Sequence, residues 1–409
     1  MDNEFTVIAG GSVTSPKGFK ASGITAGLKK SGNPDMALIY SETPANFSGA
    51  FTSCTFAAAP VRVCQERVKS QDKIQAVIVN SGNANACTGK PGIANAEKMC
   101  EQVGSLLGIC PKSVMVSSTG RIGVQMPMAV IEKGIALAVS ALSSDGGKKA
   151  ADAIMTTDTR PKVMAVELKL GGKTVTIGGM TKGAGMIDPK MKVPHATMLC
   201  YITTDAAADN ALIGKFLAQG VDESFNRITI DGDMSTNDTT ILMANGVSGV
   251  KINPGTPEEA AFHKALLFVM QTLAKEMVLD GEGATKLVNV VIENAPSRED
   301  AELAANAIAN SLLCKTAWFG CDPNWGRVIA AIGYSGAKFE PDNVVIHYND
   351  KPVVCNGQDA GTPEAVLAAL MKEREFTINV NLNSGHSSYN VWTCDISYEY
   401  VKINADYHT

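Results

Sequence analysis

A chain of 409 residues with 45% apolar and 19% charged side chains has ample core material, and its length suggests two or three domains. A net charge of −5 gives nothing to invite nucleic acid or an anionic membrane, and neither is expected as a partner. No apolar run approaches the ~20 residues of a spanning helix, and the acidic opening Met1-Asp-Asn-Glu4 lacks the order of a signal peptide, so the expected location is cytoplasmic. The ten cysteines form no Cys-x-x-Cys pair and the five histidines are dispersed. Reduced, mostly buried thiols and no metal site are expected.

Phe5 to Phe19 reads as a strand and a loop, and Lys17 lacks the glycine spacing of a phosphate loop. Apolar runs at Asp35–Tyr40 and Lys73–Val79 predict strands. The amide-rich segment Asn80-Ser-Gly-Asn-Ala-Asn-Ala-Cys-Thr-Gly89 is either a turn before a helix or a loop packed against an active centre. Ile93, Ala96, Met99, Val103 and Leu107 share one helical face. Val114–Val116 is a short strand running into Ser117-Ser-Thr-Gly-Arg-Ile-Gly123. There the Thr119 hydroxyl and the Gly120 amide either cap a turn or converge on a developing oxyanion. A helix striped by Ile131, Ile135, Val139 and Leu142 follows, and another closes over Ala150–Met155 before the polar turn Thr156–Thr159.

Val166–Leu170 and Lys173–Ile177 alternate apolar and polar residues around Gly171-Gly172, the pattern of a hairpin. It delivers the chain to a glycine-rich turn carrying Lys182, an ordinary solvated lysine on its own residues. The chain then reaches Pro194-His-Ala-Thr197 and the apolar run Met198–Thr203, a buried strand. Cleavage of the Ala196–Thr197 bond would leave Thr197 with a free α-amine beside its hydroxyl, a recognised way to activate a weak nucleophile. Asp205–Leu217 reads as a helix. Asp231, Asp233 and Asp238 lie in a polar run that fails the EF-hand spacing. A helix over Ala265–Met277, the turn Asp280-Gly-Glu-Gly-Ala-Thr-Lys286, a strand Leu287–Ile292 and a capped helix start at Ser297 complete the readable elements.

Lys182-Gly-Ala-Gly-Met-Ile-Asp-Pro189, Ala196-Thr-Met-Leu199 and Thr203-Thr-Asp-Ala206 together resemble the ornithine acetyltransferase, or glutamate N-acetyltransferase, family of arginine biosynthesis. Asn80–Gly89, Ile230-Asp-Gly-Asp-Met-Ser-Thr-Asn-Asp238, Asp322-Pro-Asn-Trp-Gly-Arg327 and the terminal Ile403–Thr409 extend the resemblance, in family order, over most of the chain. It implies an α/β fold of stacked mixed sheets flanked by helices, with a smaller C-terminal α/β domain at roughly 287–395 and an N-terminal-threonine nucleophile. It further implies self-cleavage into fragments 1–196 and 197–409, and assembly as a heterotetramer of two α and two β fragments.

The same resemblance implies a ping-pong transfer of acetyl from N2-acetylornithine to glutamate through Thr197, without cofactor. Thr119 and Gly120 would form the oxyanion hole, and Thr156, Lys182, Glu282, Asn404 and Thr409 would contact substrate. Two departures stand out. Lys192-Val-Pro-His195 has no counterpart in the common family form, and Arg121 replaces a frequently aliphatic residue, serving either substrate carboxylates or solvent. Three competing readings are a bifunctional enzyme also drawing acetyl from acetyl-CoA, an amidase passing the acyl group to water, and a binding protein that never cleaves.

Overall fold

The computed structural model describes residues 5–70, 72–189 and 198–406. It is an α/β protein with two mixed sheets flanked by helices. The larger, nine-stranded sheet turns on one long strand, Met36–Phe51. The first half of that strand pairs antiparallel with Phe19–Ile24 and Ile74–Asn83, and Val114–Arg121 adds parallel to the latter. After a register shift between Tyr40 and Ala45, the second half pairs with Thr239–Ala244 instead. From there the sheet runs through Leu199–Thr204 and the hairpin Lys162–Leu170/Lys173–Lys182 to Phe5–Val7.

The two wings share a core, and strand alternation shows how. Leu199, Tyr201, Ile241 and Met243 point into a cluster with Val77, Val79, Met115 and Ile135. Their neighbours Cys200, Ile202, Leu242 and Ala244 point the other way, against the helices Asn210–Asp222 and Pro257–Leu279. Burial on both faces explains why LCYITT and TTILMA carry no polar alternation. Leu199–Thr204 is therefore an interior strand, fixed on both edges and both faces.

The second sheet comprises Leu287–Ala295, Val345–Tyr348, Lys351–Cys355, Gln358–Asp359, Glu375–Asn381 and Ser387–Cys394. One edge is completed by Ile228–Thr229, contributed from the preceding half of the chain. Its core includes Ile292, Ile308, Trp318, Val328 and Ile378. Among the described residues no helix is long and apolar enough to cross a membrane.

The expected strands and hairpin are present, but several bounds move. The strand foreseen at Asp35–Tyr40 continues to Phe51, and the strand ending at Val79 continues through Asn83. The helix read from Asp205 begins at Asn210 because the Asp209 carboxylate accepts the Leu212 amide and caps it there. Asp205 instead accepts the backbone amides of Thr176 (2.9 Å) and Lys17 (3.1 Å). Five of the ten cysteines are buried, fewer than expected, and all ten are free.

The helix Gly147–Ile154 delivers the chain to Thr156, and it lies directly on backbone. A Cβ at Gly23 would sit 1.8 Å from the Lys149 carbonyl oxygen, and one at Gly146 would sit 1.7 Å from that of Ala21. Gly23→Ala must therefore lift the helix. We expect a cost of about 2–3 kcal/mol, seen as a thermal midpoint several degrees lower. Gly333→Ala, with nothing within 4 Å of the added carbon, is the matched control and should leave the midpoint within about a degree.

Candidate active site

Thr119, Gly120, Thr156, Lys182, Glu282 and Asn404 line one cavity, although 404 − 119 = 285 positions separate the first from the last. Ala196, Thr197 and Thr409 lie outside the described residues. Met198, which follows Thr197 in the chain, lines the same cavity, and its carbonyl accepts the Thr239 amide at 2.5 Å. Its φ of +136° falls in a region nearly reserved for glycine, worth about 1–3 kcal/mol of strain.

Thr119 and Gly120 stand at the end of a strand, not in the loop the sequence suggested. Gly120 opposes Gly82 on the parallel neighbour, and a Cβ at Gly120 would come within 2.5 Å of the Gly82 carbonyl carbon. With φ at +125°, only glycine fits this approach. The position after the Thr119 hydroxyl is thereby kept free of side-chain bulk.

Lys182 also departs from the solvated reading. It ends the strand Lys173–Lys182, is 8% exposed, and pairs through its backbone with Leu199. Its ammonium donates to the Thr156 hydroxyl at 2.7 Å and, at longer range, to the Thr119 hydroxyl at 3.4 Å. A hydroxyl that accepts from a cation has its own proton free to donate elsewhere, which is what an oxyanion requires.

A line of alternating charges supports that ammonium. Asp158 accepts from Lys162 (2.6 Å), from the Gly183 amide (2.7 Å) and from the Thr156 amide (3.0 Å). Lys162, fully buried, also pairs with Asp280, which accepts the Thr159 amide and hydroxyl. Burial pushes the Asp158 carboxyl up, but Lys182, Lys162 and the Gly183 amide together hold it well below the usual range. Burial pulls the Lys182 ammonium below its ordinary value, and Asp158 opposes that pull. Asp158 was not singled out from sequence. Its place in Thr156-Thr-Asp-Thr159 was the available signal.

Opposite Lys182, the Glu282 carboxylate accepts the Asn404 side-chain amide at 2.7 Å, and the Glu282 backbone amide donates to Ala184 at 2.8 Å. Gly185 faces this carboxylate so closely that a Cβ would lie 2.5 Å from it. Asp231 accepts the amides of Met186 (2.6 Å) and Ile187 (2.9 Å) and so braces the loop after Lys182. That is a scaffolding use of the aspartate-rich run, and among the described residues no group is arranged to hold a metal ion. Ser235, Thr236, Asn237 and Asp238 of the same run line the cavity, a direct role that the sequence reading did not assign.

The Asn237 side chain donates to the carbonyls of Ala84 (2.5 Å) and Ser118 (2.8 Å), while Ser118 donates to Asn80 at 2.6 Å. The amide-rich 80–89 segment therefore sits behind the site and holds its wall. Asp322–Arg327 is not brought to the cavity. Asn324 caps the helix Trp325–Gly333, and Trp325 packs on the core of the second sheet.

The ArgJ family pattern matches residues 20–409. An arginine biosynthesis bifunctional protein ArgJ of Caldanaerobacter subterraneus is 48% identical over 407 residues, covering 98% of this chain and all of that one. A glutamate N-acetyltransferase of Methanocaldococcus jannaschii is 47% identical over 412 residues, with 98% and 100% coverage. Among solved structures, an ornithine acetyltransferase of Mycobacterium tuberculosis complexed with ornithine is 39% identical over 46% of this chain and all of that chain, with a TM-score of 0.44.

The helix Tyr398–Asp406 that carries Asn404 buries none of its own residues. Gly185→Ala should displace the Glu282 carboxylate from Asn404 and loosen it. We expect amide exchange across 398–406 to accelerate by about tenfold, with 199–204 unchanged, in hydrogen-exchange mass spectrometry. Equal exchange in both proteins would show that the Glu282–Asn404 contact does not hold the helix.

Proposed function

This chain belongs to the ArgJ family, and from that premise we propose that it moves acetyl from N2-acetylornithine to glutamate through an acetyl ester on Thr197. The enzyme is an acyltransferase of arginine biosynthesis. The observation that carries the finer reading is the convergence of Thr119, Gly120, Thr156, Lys182, Glu282 and Asn404, from five parts of the chain, on one cavity that Met198 also lines.

In this reading the chain first cleaves itself between Ala196 and Thr197, giving fragments 1–196 and 197–409. The α-amine of Thr197, with an ordinary pKa of ~7.7–8.0, takes the proton of its own hydroxyl near neutral pH. The oxygen attacks the acetyl carbonyl carbon, and Thr119 and Gly120 donate to the oxyanion. The C–N bond breaks, ornithine leaves with the proton, and the amine of glutamate attacks the ester to release N-acetylglutamate. Lys182 pairs with a substrate carboxylate, Thr156 fixes Lys182, and Glu282, steadied by Asn404, holds a substrate ammonium. Thr409 is assigned a substrate contact on the resemblance alone. The fragments act as a heterotetramer, two of each.

Thr197→Ala should stay a single 409-residue chain by intact mass and lose transfer by about 10³-fold or more. Full turnover by that uncut chain would defeat the reading, as would acetyl release at equal rates with and without glutamate.

Asp158→Asn tests the charge line. Removing the anion disfavours the Lys182 ammonium, so its pKa falls further. The alkaline limb of kcat/KM for N-acetylornithine should then move to lower pH. A lower thermal midpoint with an unmoved limb would assign Asp158 to stability alone.

A further inference from the structure

Two opposite charges bracket the mouth of the strand Leu199–Thr204. Lys182 pairs with Leu199 on one edge and Thr239 pairs with it on the other, so Asp238, one residue earlier, comes level with Met198. Asp238 is 2% exposed and lines the cavity together with Lys182, Glu282 and Met198. We propose that Asp238 is a positioning residue for the nucleophile: its carboxylate accepts a hydrogen bond from the α-amine of Thr197 and holds that amine against the threonine's own hydroxyl. The inference rests on the acetyl-threonine reading above and names the group that orients its base.

Place in the sheet carries the argument. Neighbouring strands lie about 4.8 Å apart, and one peptide bond spans about 3.8 Å between Cα atoms. A carboxylate level with Met198 is therefore a single residue step from the amine it would serve. Its backbone is fixed on two sides. The Thr52 amide donates to the Asp238 carbonyl at 3.1 Å, and the next amide, that of Thr239, donates to Met198.

The other carboxylates around the cavity have different commitments. Asp158 holds Lys162 and supports Lys182, and Glu282 holds Asn404 and, in the reading above, a substrate ammonium. The transfer adds one more cation, the α-ammonium formed when the amine takes the hydroxyl proton. A cation in a closed cavity is costly unless an anion stands beside it. Asp238 already acts in this sense on Lys182, whose ammonium it supports against burial after Asp158 and ahead of Glu282.

Charge also sets the basicity of the amine, with opposed signs. Among the described residues the charged groups around this end of the strand are Lys182 from the hairpin, Asp158 behind it, Glu282 from the turn after the helix Pro257–Leu279, and Asp238. A neighbouring ammonium lowers the pKa of an amine, and a neighbouring carboxylate raises it. Asp238 stays ionised throughout and moves no proton. The Thr197 Oγ proton passes to the α-amine, whose N–H donates to Asp238, and goes on to the ornithine nitrogen as the C–N bond breaks. A buried carboxylate serves a catalytic imidazole in the same way, by orienting the base and stabilising its cation.

The test compares the processed wild-type enzyme with Asp238→Asn, which keeps the shape and loses the charge, and Asp238→Glu, which keeps the charge. Intact mass establishes cleavage, and kcat/KM for N-acetylornithine is followed against pH with glutamate as acceptor. For Asp238→Asn we expect kcat to fall about 10²-fold or more with KM within about threefold. The acid limb, which reports the Thr197 amine, should move about one pH unit lower. Asp238→Glu should recover about tenfold or more of that loss and return the limb toward the wild-type position. An unmoved acid limb in Asp238→Asn, equal losses and limbs in the two variants, or an Asp238→Asn chain that stays uncut would overturn this role. The wild type separates the two failures: if it is cut and transfers acetyl, the role of Asp238 alone is wrong, and if it is uncut or transfers nothing, the reading beneath it is wrong.

Discussion

The buried sequence of charges Asp280, Lys162, Asp158, Lys182 is the constraint on which the site depends. An ammonium taken out of water is costly unless a carboxylate stands beside it, and each carboxylate here needs a cation in turn. The alternation resolves both demands, and backbone amides of Thr156, Thr159 and Gly183 fill the remaining acceptor positions. Removing one member of such a line leaves a buried charge uncompensated, a loss of roughly 3–5 kcal/mol. The line also ties together three parts of the chain: the turn after the helix Gly147–Ile154, the end of the hairpin, and the turn after the helix Pro257–Leu279. One electrostatic requirement thus sets the position of Lys182, and through it the hydroxyls of Thr156 and Thr119.

What could be read beforehand follows from where each signal resides. Period-two patterning identified the hairpin, and continuous apolar runs at Met198–Thr203 and Lys73–Val79 identified two interior strands, the second ending short of its observed end at Asn83, because those signals are local. The family resemblance supplied six cavity residues that no spacing rule would have joined. Three things were not legible. Lys182 looked solvated because Thr156 and Asp158, which support its ammonium, precede it by a whole hairpin. Thr119 and Gly120 looked like a loop because the opposing Gly82, which lets two strands approach, lies far upstream. The direct contribution of Ser235–Asp238 was hidden because an aspartate- and hydroxyl-rich run reads equally well as a brace, and Asp231 does serve as one.

Placement on an interior strand has a chemical consequence. Leu199–Thr204 pairs antiparallel with Lys173–Lys182 and parallel with Thr239–Ala244, and its two faces enter two separate cores. Few segments of the molecule have less freedom to move. The backbone bond at Met198 sits at the mouth of that strand with its carbonyl already committed to Thr239. The strained angle of Met198 is sustained by this surrounding framework, since an isolated segment would relax it. Rigidity on one side of the cavity is thus purchased by two-sided burial.

The opposite side is built on different terms. The helix Tyr398–Asp406 presents exposed Tyr398 and Val401 and buries no residue of its own. It is attached by Asn404 to Glu282, by the Tyr400 hydroxyl to Asp231 at 3.3 Å, and by an edge-on contact of Tyr398 with Phe319. Partly exposed hydrogen bonds of this kind contribute only about 0.5–1.5 kcal/mol each, far less than the burial that fixes the strand wall. Of the walls around the cavity, the C-terminal helix is therefore the one whose displacement costs least. In the proposed two-step transfer one amino acid must leave before another enters, and a cavity with one immobile wall and one lightly held wall suits that exchange.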